Sequence, residues 1–208
     1  MNYIFPFLFF ITHFLFSQTY FDYSNSYSKE DKINANTAIN VGYLSNEEKK
    51  IFFYLNLVRN NPKLFLEKFL SIENQNIHKS TCFSSRNKCN YINSLMDHLS
   101  KMEKLGSIRP NKEFFEYADC HAKKSGKKGY IGHSRKKSGC SNLPLPYGEC
   151  CHYGSNFALD IVIDLLIDCG VSDLGHRKIL LSEEYTMMGV SIENHRDYNY
   201  NSVLDLTY

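Results

Sequence analysis

Three short islands in the second half of the chain carry the residues best suited to chemistry: Gly132-His133-Ser134, Gly148-Glu149 and Gly175-His176-Arg177. In each, a glycine directly precedes a metal-capable or acid/base side chain. Glycine lets the backbone turn tightly and leaves room beside the polar group. Two imidazoles and a carboxylate meeting in one cleft make a three-donor set for zinc or another divalent metal, with a fourth position open to water. The same groups can move protons without metal, or simply hydrogen-bond one another and fix the backbone. The chain has no HExxH, so the two imidazoles do not come from one helical turn.

Nucleophiles are scarce. Ser134 follows His133 directly, and adjacent residues seldom aim at one point. The sequence has no GxSxG elbow. A Cys/His peptidase needs a free thiol of low pKa, and the setting of the cysteines favours disulfides instead. Ile4 to Phe16 is an apolar run too short to span a membrane but suited to an export signal over residues 1–17, cleaved before Gln18. Export makes disulfides the default for the seven cysteines, Cys82, Cys89, Cys120, Cys140, Cys150, Cys151 and Cys169. Cys82 with Cys89, and Cys140 with Cys150 or Cys151, are pairs the spacing allows; an odd count leaves one thiol over. The net charge of +2 points to neither nucleic acid nor an acidic surface as partner. The run from Lys123 through Lys137 reads as the solvated end of a helix and a loop. No later stretch is apolar enough to span a membrane.

Several elements must position these groups. Residues 18–44 read as a polar, poorly ordered leader, and a single domain spans 45–208. Ser45 with Glu48 is a capping box opening a helix with Ile51, Phe52, Leu55 and Val58 on one face. Pro62 starts a second short helix. A polar loop fills 71–90. Helices follow over Tyr91 to Leu105, stopped by Gly106, over Lys112 to Ser125, ended by Gly126, and over Asn156 to Cys169, which has the widest apolar face. Residues 127–148 read as loop. A short helix at His176 to Leu181 precedes two strands, Met187 to Ile192 and Ser202 to Leu206. Helices first and strands late give an α+β class. His152 is within reach of the cleft; His78, His98, His121 and His195 read as surface or helix-face residues.

The order of several motifs resembles the CAP superfamily (cysteine-rich secretory, antigen 5 and pathogenesis-related proteins, also called SCP-like extracellular domains), in particular its bacterial branch. They are Leu55-Asn56-Leu57-Val58-Arg59-Asn60-Asn61-Pro62, then Phe114 through Ala122 followed by Gly132-His133-Ser134, then Gly148-Glu149, Ile163 through Asp168, Gly175-His176-Arg177 and Met188-Gly189-Val190. The resemblance implies an α/β/α sandwich with a central antiparallel sheet flanked by helices, and a cleft of two histidines and two acids. Residue by residue, these are His133, His176 and Glu149. The fourth has no direct match, and Asp164 and Asp168 are the candidates. Cys150 stands where the family has Asn after the Glu.

Three functions are consistent with these residues. One is a secreted binding domain whose cleft takes a divalent metal or an extracellular ligand, lipid or protein. Another is a metal- or His/acid-dependent extracellular peptidase. The third is a disulfide-stapled interaction module with a purely structural His/Glu cluster. Fold alone does not choose among them.

Overall fold

The computed structural model describes residues 25–70 and 89–208. The expected export signal, residues 18–24 of the leader, His78 and Cys82 lie outside the described residues. Within them the chain builds eight helices and a four-stranded sheet.

The leader is ordered where it is described. Ser28 caps helix α1 (Lys29–Ala35) through a capping box with Asp31, and Tyr27, Ala35, Ala38 and Leu44 are buried. This corrects the expectation of a poorly ordered segment up to residue 44: its few apolar side chains find a place in the main core, outweighing its polar composition. Helix α2 (Asn46–Asn60) starts at Ser45 with the expected capping box, and Ile51, Phe52, Leu55 and Val58 are fully buried. Each such side chain contributes about 1.5–3 kcal/mol by leaving water. Pro62 opens α3 (Pro62–Phe69).

Helix α4 runs Cys89–Lys101 and stops before the expected Gly106. The reason lies in α2. Asn56 accepts from Ile108 N at 2.7 Å and donates to Ile108 O and Ala35 O. Arg59 donates to Gly106 O at 2.9 Å, and its own carbonyl accepts from Leu105 N. These bonds take the backbone that helix α4 would need to continue. The same guanidinium reaches Leu180 O, Ser182 O and Tyr185 O, so one buried arginine joins three distant stretches of chain.

The sheet has the order β1 (Arg109–Pro110), β3 (Met187–His195), β4 (Asn199–Thr207), β2 (Gly148–Tyr153). It is antiparallel across β3, β4 and β2, with the two-residue β1 added in parallel. Strand alternation gives it two apolar faces. Cys150, Met188, Val190, Leu204 and Leu206 join α2, α3, α4 and α7 (Ala158–Ile167) in the main core. Cys151 and Val203 face Ala118 and Ala122 of α5 (Lys112–Lys128). Helices thus cover both faces, as an α/β/α sandwich requires. Helix α5 passes through Gly126 and ends at Gly129. A Cβ on Gly126 would lie 2.1 Å from Asn194 O, so this glycine serves close packing on β3 and not helix termination. A one-turn helix α6 (Arg135–Ser138) interrupts the expected loop, and α8 (Gly175–Leu180) follows α7.

Gly189 sets how closely α5 lies on the sheet. A Cβ there would come within 2.0 Å of the backbone of Phe114 and Phe115. Backbone cannot rotate aside as a side chain can, so Gly189→Ala is expected to destabilise the protein by about 3 kcal/mol. Chemical denaturation with far-UV circular dichroism checks this; a midpoint unchanged from wild type contradicts it.

Candidate functional site

His133 and His176 come together beside β2, an edge strand, and the site they form is termed the cleft. Its first half comes from the α5 side. Ser134 caps α6, which fixes the turn carrying His133 and Arg135. Within β2, Glu149 and Cys151 share the face toward α5, one alternation apart. His133 Nδ1 donates to Glu149 Oε1 at 2.7 Å. The other carboxylate oxygen, Oε2, accepts from Arg135 Nη2, which also donates to both oxygens of Asp205 at 2.7 Å. Arg135 Nη1 donates to Tyr117 O. Arg135 and Asp205 are buried.

The second half comes from the main-core side. Asp168 ends α7 in the left-handed region at φ 57°, which turns its carboxylate toward α8. It accepts from His176 N at 2.9 Å and from Arg177 N at 3.3 Å. It also accepts from His176 Nδ1 at 2.7 Å. One acid therefore both caps the short helix and orients its imidazole. The rings of His133 and His176 have centroids 6.1 Å apart. Each is held at Nδ1 by a carboxylate, and among the described residues neither Nε2 has a hydrogen-bond partner.

Four of the five expected site residues, His133, Glu149, His176 and Asp168, are thus brought together by two hydrogen bonds and the facing rings. Asp164 is not in the cleft: it accepts from His152 Nε2 at 3.0 Å. His152 is engaged with this acid, and neither makes a hydrogen bond to His133, Glu149 or His176 among the described residues. Glu149 is the partner of His133, and Asp168 that of His176.

The electrostatics follow from burial and proximity. The hydrogen bond to Glu149 holds the His133 imidazolium above its ordinary range, against partial burial. Burial would raise Glu149, but the bond from His133 and the charge of Arg135 outweigh it and hold the carboxyl low. Two acids share one guanidinium, and Asp205 takes the opposite course. Burial pushes it up to about 8 despite Arg135, helped by the charge of Glu149. Burial also pushes the Cys150 and Cys151 thiols well up. Cys140 pairs with Cys120, joining α5 to the end of α6, so the expected bridge from Cys140 to Cys150 or Cys151 is not formed; both of those are free and buried, on opposite faces of β2. Cys169 is disulfide-bonded.

Three participants escaped the sequence reading. Arg135 reads there as one more charge in a basic loop. Asp205 sits in an apolar strand with no motif around it. His121, read as a surface residue, is fully buried. Burial holds its ring neutral; its Nε2 donates to Gly132 O at 3.0 Å, and Nδ1 accepts from Ser138 Oγ at 2.8 Å. His195 is buried as well. A metal-capable group is present: His121, Glu149 and Cys151 offer ligand atoms within 4.8 Å of one another.

Asp205 makes a pH prediction. Its folded pKa lies above its unfolded one, so the unfolded state releases this proton first as pH rises. Its contribution to stability is therefore lost between the usual carboxylate value of about 4 and the folded value of about 8. Asp205→Asn removes that slope. Thermal melts from pH 5 to 8 should show the variant gaining on wild type as pH increases; parallel curves contradict the assignment.

No helix among the described residues is long and apolar enough to cross a membrane. No protein-family model, no curated protein and no solved structure matches the chain.

Proposed function

We propose that this chain is an exported CAP-like domain that acts by binding through the His133–His176 cleft, with a divalent metal, zinc foremost, held between the two imidazoles. One observation carries this reading: two rings 6.1 Å apart, each anchored at Nδ1 by a carboxylate at 2.7 Å. A ring that donates from Nδ1 keeps its lone pair on Nε2 in the neutral form, and a carboxylate behind it raises its basicity and fixes its orientation. Imidazole nitrogens suit a borderline metal, and two of them leave the remaining positions of a zinc shell to ligand and water. His133 and His176 would hold the ion, while Glu149 and Asp168 orient them. A bound ion would supply a Lewis-acid position open to a carbonyl, carboxylate or water.

The order of the motifs supports the CAP-like assignment. The apolar run at the amino terminus and the disulfides support export. Buried thiols with raised pKa argue against a cysteine peptidase. Lipid and protein are the extracellular ligand classes to be tried.

The test is zinc titration of the oxidised protein by calorimetry, beside the His133→Ala/His176→Ala double variant. Binding near one equivalent that weakens by ~100-fold or more in a folded double variant supports the reading. Equal binding in both proteins, or none in either, replaces it with a structural His/acid network.

A further inference from the structure

Behind the cleft, toward α5, lies a different donor cluster. Cys151 Sγ is 3.7 Å from His133 Nδ1 and 3.8 Å from Glu149 Oε1; the last two atoms are 2.7 Å apart. A four-coordinate zinc ion with bonds of roughly 2.0–2.3 Å sets its donors roughly 3.3–3.7 Å apart. The two edges to sulfur already have nearly that length. The short nitrogen–oxygen edge is a shared proton, and an ion replacing that proton opens it by about half an ångström. On the other side, a ring nitrogen of His121 lies within 4.8 Å of ligand atoms on Glu149 and Cys151.

We propose that His133 Nδ1, Glu149 Oε1 and Cys151 Sγ form an inner site for one thiophilic divalent ion, zinc first, which His121 completes by giving up one of its two ring hydrogen bonds.

The surroundings suit such an ion. Arg135 occupies only Oε2 of Glu149, leaving Oε1 for the metal and fixing the carboxylate plane. The anions of Glu149 and Cys151 neutralise a divalent charge, and Arg135 stays paired with Asp205. Cys151 is buried, which shelters the metal–sulfur bond from solvent. On binding, the Cys151 thiol releases its proton to solvent, and neutral His133 carries its single proton on Nε2 instead of Nδ1. No electron transfer is involved. The proposal does not depend on the cleft reading, since His176 takes no part. The two are linked, because a neutral His133 has one lone pair: filling the inner site withdraws its Nε2 from the outer one.

Cobalt(II) added to the full oxidised protein provides the probe, since a thiolate ligand gives a cobalt–sulfur charge-transfer band and an all-nitrogen/oxygen site does not. The band is expected at about one equivalent in wild type, in Cys150→Ser and in His176→Ala. It should vanish in Cys151→Ser, with affinity lower by ~10–100-fold. Far-UV circular dichroism verifies the fold, and Cys151→Ala is read in its place should the serine variant not fold. Loss of the band in Cys150→Ser and not in Cys151→Ser overturns the proposal, as does the absence of cobalt binding. Cobalt bound without the band and lost in His176→Ala also overturns it, while supporting the outer cleft.

Discussion

Arg135→Met is expected to destabilise the protein by about 3–5 kcal/mol, because it leaves the buried Glu149 carboxylate without its counterion and Asp205 without its donor. Glu149 and Asp205 have side chains 9% and 0% exposed, and both rely on the same Nη2. Methionine fills much of the volume but supplies no charge, and Tyr117 O also loses its donor. The cost depends on pH in a definite direction. Without the guanidinium both acids take up protons more readily, so the variant's deficit shrinks toward pH 5 and grows toward pH 8. Adding Asp205→Asn replaces the second acid beside Glu149 with a group that cannot ionise, and should recover part of the loss toward pH 8. A thermodynamic cycle of the two single variants and the double variant, followed by urea denaturation at pH 5 and 8, measures this. A deficit under 1 kcal/mol at both pH values, or strict additivity, contradicts the shared-cation arrangement.

Arg59→Met should cost about 4 kcal/mol or more, by another route. Arg59 has no carboxylate partner among the described residues; it satisfies four carbonyls, of Gly106, Leu180, Ser182 and Tyr185. Hydrogen bonds from a charged donor contribute about 1.5–3 kcal/mol each, and a buried acceptor left without a donor loses its solvation as well. Burial lowers the Arg59 guanidinium to about 10, so it remains charged at neutral pH and the deficit should be nearly flat between pH 5 and 8. That flatness separates it from Arg135→Met. The carbonyl of Leu180 ends α8, so the loss should also loosen His176. Hydrogen exchange at His176 and Arg177 faster than in wild type is the expected sign; unchanged exchange there contradicts a link between the clamp and the cleft.

The parts of the fold that were legible in the sequence are those with strong local chemistry. The Ser45–Glu48 box and the apolar face of α2, Pro62, the helix around Val162 and the two late strands all rest on short-range pattern. Strand β2 was not legible. Its sequence, Gly-Glu-Cys-Cys-His-Tyr, has no β-branched residue, and its adjacent cysteines suggest disulfides in an exported chain. Here they pack as small apolar groups, one on each face. In the site, His133, Glu149 and His176 stood out because each follows a glycine. Asp168 was separable from Asp164 only by where α7 ends: both fit the helix, but only the residue beyond its last turn points at α8. Arg135 and Asp205 carry no local signature, since their roles arise from a contact across 70 positions of sequence.

Strand β4 follows the other three strands in the chain yet sits between β3 and β2. During vectorial synthesis at ~5–20 residues per second, β3 and β2 therefore wait with their facing edges unpaired until β4 emerges. Asp205, on that same strand, reaches Arg135 only then. Assembly of the cleft is thus a late event in the birth of the molecule, and a chain interrupted before β4 would present two open strand edges, the kind of surface that chaperones hold and proteases remove.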